Sequence, residues 1–262
     1  MAAFDDCIAE LGDYVDGVRR DRAAEVREFR WPGDPEVLIS DLPLRVGPGA
    51  NPGIVLRSDA FVELGNPDVG SCAALLWTDD PSLVADGRIV LVGPDVPEAA
   101  GASLPFGQFL LVGGDGLTDE DHGDLQEAQH VSDQLEGYMA RSTSEYVWAR
   151  VSHDAAEKGF TLEVLGRTLL HLVKAAVPKA SAVEVLFVTA STADVRQLTD
   201  VAARAKSVGR DMVNEMWKTR GFDLECDLDC GSCSDQDVCD DIRDVIATAR
   251  KAARETAAGL GK

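Results

Sequence analysis

Apolar side chains at Phe4, Ile8, Leu11, Val15 and Val18 recur every three to four residues. That period predicts an amphipathic helix over residues 3–29, ending before Trp31-Pro32-Gly33-Asp34-Pro35. Residues 32–53 are rich in Pro and Gly and read as a loop-rich linker, with a domain boundary near residue 52. From 53 to 114 short β-rich pieces, among them 53–64, 73–77, 88–93 and 108–114, alternate with turn-forming clusters, as in a small mixed sheet. Beyond it the expected elements are a helix at 122–140, a strand at 145–151, a helix at 161–176, a strand at 182–189 and a helix at 192–218. The predicted fold class is α/β in the broad, α+β sense. Three parts are expected: an N-terminal helix and linker (1–52), an α+β domain (53–220), and a cysteine-bearing loop with a C-terminal helix (221–262).

Composition narrows the setting. The chain has 262 residues, 45% of them hydrophobic, enough for a sizeable core. Its longest apolar runs, such as 185–190, are far too short to span a bilayer, and no basic N-terminal segment leads into an apolar one. The expected compartment is the cytoplasm, where clustered cysteines point to metal before disulfides. Forty-six acidic residues against 25 basic give a net charge of −21. A surface of that sign repels nucleic acid and anionic membranes, yet leaves room for an Arg-lined pocket that takes an anionic cofactor.

The most concentrated chemistry lies at Cys226-x3-Cys230-x2-Cys233-x5-Cys239. Structural zinc sites usually separate two cysteine knuckles by a dozen or more residues. Compact runs suit a cubane, whose iron corners are held by four thiolates, so a [4Fe-4S] cluster is the first expectation and zinc the alternative. The acidic neighbours Asp223, Glu225, Asp227, Asp229, Asp235, Asp237, Asp240 and Asp241 raise a free thiol's pKa. A bound cation reverses that and makes four thiolates tolerable there. The first three cysteines also match the radical-SAM spacing, but that motif belongs near the start of a barrel of repeated strand–helix units.

Four stretches carry a resemblance: 54–67 (IVLRSDAFVELGNP), 86–114, 147–160 (VWARVSHDAAEKGF) and 183–211. Their most distinctive features are Gly93-Pro94-Asp95, Leu104-Pro105-Phe106-Gly107, Trp148-x-Arg150-x-Ser152 and Lys158-Gly159-Phe160. Together they resemble the β subunit of the CO dehydrogenase/acetyl-CoA synthase complex over most of the chain. The resemblance implies an α+β module, ferredoxin-like in part, implicated in coenzyme A binding, followed by a domain carrying a [4Fe-4S] cubane bridged to a dinickel site. The family's cubane spacing, Cys-x2-Cys-x8-Cys-x9-Cys, is not reproduced here, and no later Cys-Gly-Cys follows to hold nickel. The resemblance therefore implies a chain truncated before the nickel-binding part. No nickel is expected, and no acetyl-CoA synthesis without a partner protein of CO dehydrogenase, corrinoid or methyltransferase type that brings the reactive centre.

Arg141, Arg150 and Arg167 flank the region the family uses for its cofactor and are the candidate contacts to coenzyme A phosphates; ordinary surface ion pairing is their other reading. Tyr138 or Met139 stands near the place expected for an aromatic contact to the cofactor. His122, His130, His153 and His171 lack metal-ligand spacing, and Cys7 and Cys72 are isolated; Cys72 reads as a small buried apolar side chain. No catalytic residue is identified. Two functions stay open: an acetyl-CoA synthase-like iron–sulfur protein handling coenzyme A, an acyl group or a one-carbon unit, and a non-catalytic electron-transfer or scaffold protein. The Asp-rich, Lys-poor balance also suits a salt-rich solvent in which self-repulsion is screened. Molar KCl should raise the melting temperature, and a scan in which salt leaves it unchanged or lowers it removes that reading.

Overall fold

The computed structural model describes residues 4–47, 49–50, 54–128, 131, 134–142 and 146–219. The chain divides into two compact units, Met1–Val213 and Asn214–Lys262. The expected cysteine loop and C-terminal helix, 221–262, lie outside the described residues.

Helix α1 (Asp5–Asp21) buries Cys7, Ile8, Leu11, Tyr14, Val15 and Val18 along one stripe. It ends eight residues before the sequence expectation because four polar residues, Arg19 to Arg22, interrupt the stripe, and Arg22 leaves helical geometry. The chain then forms strand β1 (Val26–Arg30). A short helix α2 (Pro35–Ile39) precedes β2 (Ala60–Leu64), β3 (Ser71–Thr78), β4 (Arg88–Val92), β5 (Ser103–Leu104) and β6 (Phe106–Gly113). Helix α3 (Asp119–Ala128) covers only the start of the predicted 122–140 helix. Its other half contains Gly137, at φ +69°, where an added Cβ would stand 2.5 Å from Ala155 and Ser152 side-chain atoms. Strand β7 (Tyr138–Ser142) follows that glycine, then β8 (Val147–Ser152), α4 (His153–Glu157), α5 (Leu162–Ala176), β9 (Ala182–Val188) and α6 (Thr192–Thr219).

The strands build two mixed sheets, as the α+β reading expected. One has the order β1-β4-β9-β6-β3, the other β5-β2-β8-β7. In the first sheet β3, β6 and β9 are near-continuous apolar runs, the pattern of strands covered on both faces. Phe29 pairs with Ile89, so the neighbouring Glu28 faces the opposite side of the sheet. Helix α1 lies on the Glu28 side, where Arg19 bonds that carboxylate at 2.9 Å. Helix α5 lies on the Ile89 side, so close that a Cβ on Gly166 would come within 2.8 Å of the isoleucine. Residues on both sides of position 52 thus share one unit, since β1 is an edge strand of this sheet and α1 packs into its core. No helix among the described residues is long and apolar enough to cross a membrane.

The motifs singled out in the sequence are largely joints of this unit. Gly93, at φ +111°, brings β4's end against Ala190, where an added Cβ would meet the backbone nitrogen at 2.3 Å. The buried Asp95 carboxylate accepts from Val96 N (2.6 Å) and from Leu162 N (2.8 Å), tying this turn to the first turn of α5. Phe106 stacks on Phe187 across the first sheet, and Phe160 stacks on Tyr138 beside the second. Gly93→Ala should cost about 3 kcal/mol or more in urea unfolding, from strain plus backbone collision. Gly101→Ala, at φ +73° but facing open space, should cost only about 1 kcal/mol; equal losses at the two positions would contradict the collision argument.

Candidate functional site

Strand β8 alternates sharply: Val147, Ala149 and Val151 are buried, while Trp148, Arg150 and Ser152 are partly exposed on the other face. The buried set joins Val62, Leu64 and Tyr138 in the core. Because paired residues share a face, the outward set gathers neighbours from both sides. Glu63 stands opposite Arg150 on β2, Met139 opposite Arg150 on β7, and Arg141 opposite Trp148. Ser103 of β5 lies beyond Glu63.

Glu63 is the centre of this group. Its Oε1 accepts from Trp148 Nε1 at 3.1 Å and from Arg150 Nε at 3.0 Å. Its Oε2 accepts from Asn66 Nδ2 at 2.6 Å and from Ser103 Oγ at 3.4 Å. Burial pushes this carboxyl up, but the hydrogen bonds from Asn66, Arg150 and Trp148 outweigh it and hold the group below the usual carboxylate range. The Arg150 guanidinium also donates to Val55 O at 3.3 Å, pinning the 54–57 segment to this face, and lies 4.5 Å from the centre of the Trp148 ring. Arg141 is exposed, and so is Arg57, in the helical turn Arg57–Asp59 that continues the pinned segment. Neither forms a hydrogen bond or ion pair with another described residue. An indole flanked by cations can stack a planar base and pair with phosphate.

The three arginines named from the sequence therefore do not form one cluster. Arg141 and Arg150 share the outward face of the second sheet. Arg167 lies elsewhere, on α5, and is buried: its Nε donates to Leu38 O at 2.9 Å, it pairs with Asp41, and its guanidinium stacks 3.7 Å from the centre of the Trp31 ring. That contact holds the Asp41 carboxyl below its ordinary range. Arg57 and Glu63 were missed by sequence reasoning. Of the two positions proposed for an aromatic contact, Tyr138 is fully buried and stacked on Phe160, whereas Met139 faces outward beside Arg150.

Cys226, Cys230, Cys233 and Cys239 lie outside the described residues. Among the described residues, no three His, Cys, Asp or Glu side chains converge as metal ligands. Cys7 and Cys72 are buried free thiols, and burial alone pushes Cys72 up to about 12. His171 Nδ1 lies 2.9 Å from Pro35 O, and His153 meets the Phe61 ring edge-on. His122 falls within α3, and His130 lies outside the described residues.

Residues 42–194, more than half of the chain, match the model of the CO dehydrogenase/acetyl-CoA synthase complex beta subunit family. The chain is 32% identical over 138 residues to an acetyl-CoA decarbonylase/synthase complex subunit beta of Methanopyrus kandleri, covering 52% of this chain and 29% of that protein. It is 29% identical over 177 residues to the same subunit of Methanothermobacter thermautotrophicus, covering 66% and 37%. Against the carbon monoxide dehydrogenase/acetyl-CoA synthase subunit alpha of Moorella thermoacetica it is 30% identical over 174 residues, covering 65% and 24%. The chain thus spans about a quarter to a third of the length of these relatives.

The two arginine environments are separable by stability. Arg167→Ala should lower the unfolding free energy by about 2–4 kcal/mol, since it leaves the buried Leu38 carbonyl without its donor, opens a cavity on α5 and uncovers the Trp31 ring face. Arg141→Ala should stay within about 0.5 kcal/mol of the parent. Denaturant melts that rank them the other way would contradict this placement.

Proposed function

We infer, from the premise that this chain belongs to the CO dehydrogenase/acetyl-CoA synthase complex β-subunit family, that it binds coenzyme A or an acyl-coenzyme A and works in acyl or one-carbon transfer with a partner protein. The observation that carries the ligand reading is the outward face of β8, where Trp148 stands beside Arg150 and across from Arg141. An adenine ring has a π-face to stack on an indole, and the coenzyme's phosphates suit exposed guanidinium groups. Arg141 and Arg57 are the phosphate contacts in this reading, since Arg150 already donates to Glu63 and Val55. Arg167, buried against Leu38, Asp41 and Trp31, is left with a structural part.

The second element of the proposal is a [4Fe-4S] cluster held by Cys226, Cys230, Cys233 and Cys239. It rests on the donor set: four thiols within fourteen positions among eight carboxylates, where a cation is needed to make the thiolates tolerable. When bound, such a cluster supplies one-electron transfer or structural cross-linking.

A second reading is favoured by one observation. Arg150 and Arg167 spend their hydrogen bonds inside the protein, as they would in a scaffold or electron-transfer protein that keeps the fold without the coenzyme. Titration calorimetry with coenzyme A separates the two. Binding at about micromolar affinity, weakened in Arg141→Ala, is expected, and absence of heat leaves the scaffold reading. Anaerobically purified protein should be brown, with about four irons per chain and broad absorption near about 400 nm. Alanine at any of the four clustered cysteines should lower iron, whereas Cys7→Ala and Cys72→Ala should not. Colourless protein holding one zinc refutes the iron assignment.

A further inference from the structure

We propose that Glu63 is a positioning residue of the ligand face: its carboxylate fixes Trp148 and Arg150 as one oriented pair that receives the nucleotide end of coenzyme A. The assignment rests on the coenzyme reading of this face. Its physical basis is the number and origin of the donors that converge on one side chain. Two come from β8, one from Ser103 on β5 and one from Asn66 in the turn after β2. Each carboxylate oxygen therefore has two donors, and the side chain is only 12% exposed.

Geometry determines what this does for a ligand. The indole N–H points sideways into Glu63 Oε1, so the ring cannot turn about its side-chain torsions without losing that bond. Arg150 Nε bonds the same oxygen and holds the guanidinium 4.5 Å from the ring centre. The indole and the cation are thus oriented together by one acceptor, which lowers the ordering cost that a base stacking on Trp148 would otherwise have to meet. Arg141 has its backbone position fixed opposite Trp148 on β7, within its side chain's reach of a phosphate beside the ring. Asn66 and Ser103 complete the arrangement by holding Oε2, so Glu63 does not swing toward solvent.

The test uses the full chain and coenzyme A itself. Parent, Glu63→Ala, Glu63→Gln and Trp148→Phe are titrated by calorimetry. The emission of Trp148 is obtained by subtracting the spectrum of the matching Trp148→Phe protein. Glu63→Ala should weaken binding about tenfold and make the Trp148 emission more easily quenched by acrylamide. Glu63→Gln, whose amide oxygen still accepts from the indole but whose amide nitrogen meets the Asn66 donor, should recover part of both. If Glu63→Ala does not fold, Asn66→Ala is read the same way, with about threefold weakening expected. A strut without a positioning part would lower the melting temperature and leave coenzyme affinity and quenching unchanged. Parent and Glu63→Ala binding equally well overturns the assignment while the coenzyme reading stands. A parent that does not bind coenzyme A overturns the coenzyme reading and this assignment with it.

Discussion

Everything on the outward face of the second sheet depends on the register of β8. The side-chain period of a strand is two, so a slip of one residue would bury Trp148 and Arg150 and expose Val147, Ala149 and Val151. Two contacts at the strand's start prevent this. The Ser71 hydroxyl donates to Val147 O at 2.5 Å and accepts from Val147 N at 2.9 Å, tying the first residue of β3 to the first of β8. Gly65, at φ +69°, lets the backbone approach the same carbonyl, which an added Cβ would meet at 2.2 Å. At the far end Ser152 N donates to Gly137 O and the Ser152 hydroxyl caps α4. The strand is therefore fixed at both ends by groups that tolerate no shift, and the outward set inherits that precision.

The same logic separates the buried carboxylates of this chain by use. Asp95 and Glu184 are pushed above the carboxylate range, in each case chiefly by burial. Their partners are joints: Asp95 links the turn after β4 to α5, and Glu184 on β9 takes Arg88 Nε at 2.8 Å and Ala85 N at 3.0 Å. Asp194 receives Tyr14, Arg22 and Ser191, linking α1 to the first turn of α6, and is held below its usual range despite burial. Glu63 resembles Asp194 in electrostatics but differs in what it orients. Its donors include an indole and a guanidinium on a solvent-facing sheet surface, not two packed helices.

Elements with strong patterns were legible from sequence. The helix expected at 161–176 is Leu162–Ala176, capped by Thr161; the strand expected at 182–189 is Ala182–Val188; the helix expected at 192–218 is Thr192–Thr219. Strands β1 and β7 were absorbed into predicted helices because each is only five residues long and comes next after a true helix in the chain, so a helical period could be extended across it. At the site, the alternation of Trp148 and Arg150 was visible as a shared face. Their common partner was not: Glu63 lies 85 and 87 residues away, and only the pairing of β2 with β8 brings it there. Arg167 carried a signal that was misread. A lone arginine in the apolar run Leu162–Ala176 points to a buried, internally paired cation more than to a surface contact.

The charge balance sets the terms on which such a chain can hold an anion. A net charge of −21 repels a polyphosphate from a distance, but that repulsion is long-ranged and is cut off over about 8–10 Å at moderate ionic strength. What acts inside that radius is the local set of groups. Most arginines among the described residues cannot contribute, because they are tied to carboxylates of the protein, Arg22, Arg27, Arg88, Arg150 and Arg167 among them. Arg57 and Arg141 have no such partner among the described residues; Arg57 lies in the turn that follows the Val55 contact, and Arg141 shares the sheet face that displays Trp148. Glu63 adds a negative charge there, yet it is matched by Arg150 at 3.0 Å and covered by neutral donors, so its field toward solvent is small. Added salt removes the distant repulsion before it weakens contacts at hydrogen-bond range, so an acidic surface does not by itself rule out the anion contact proposed for this face.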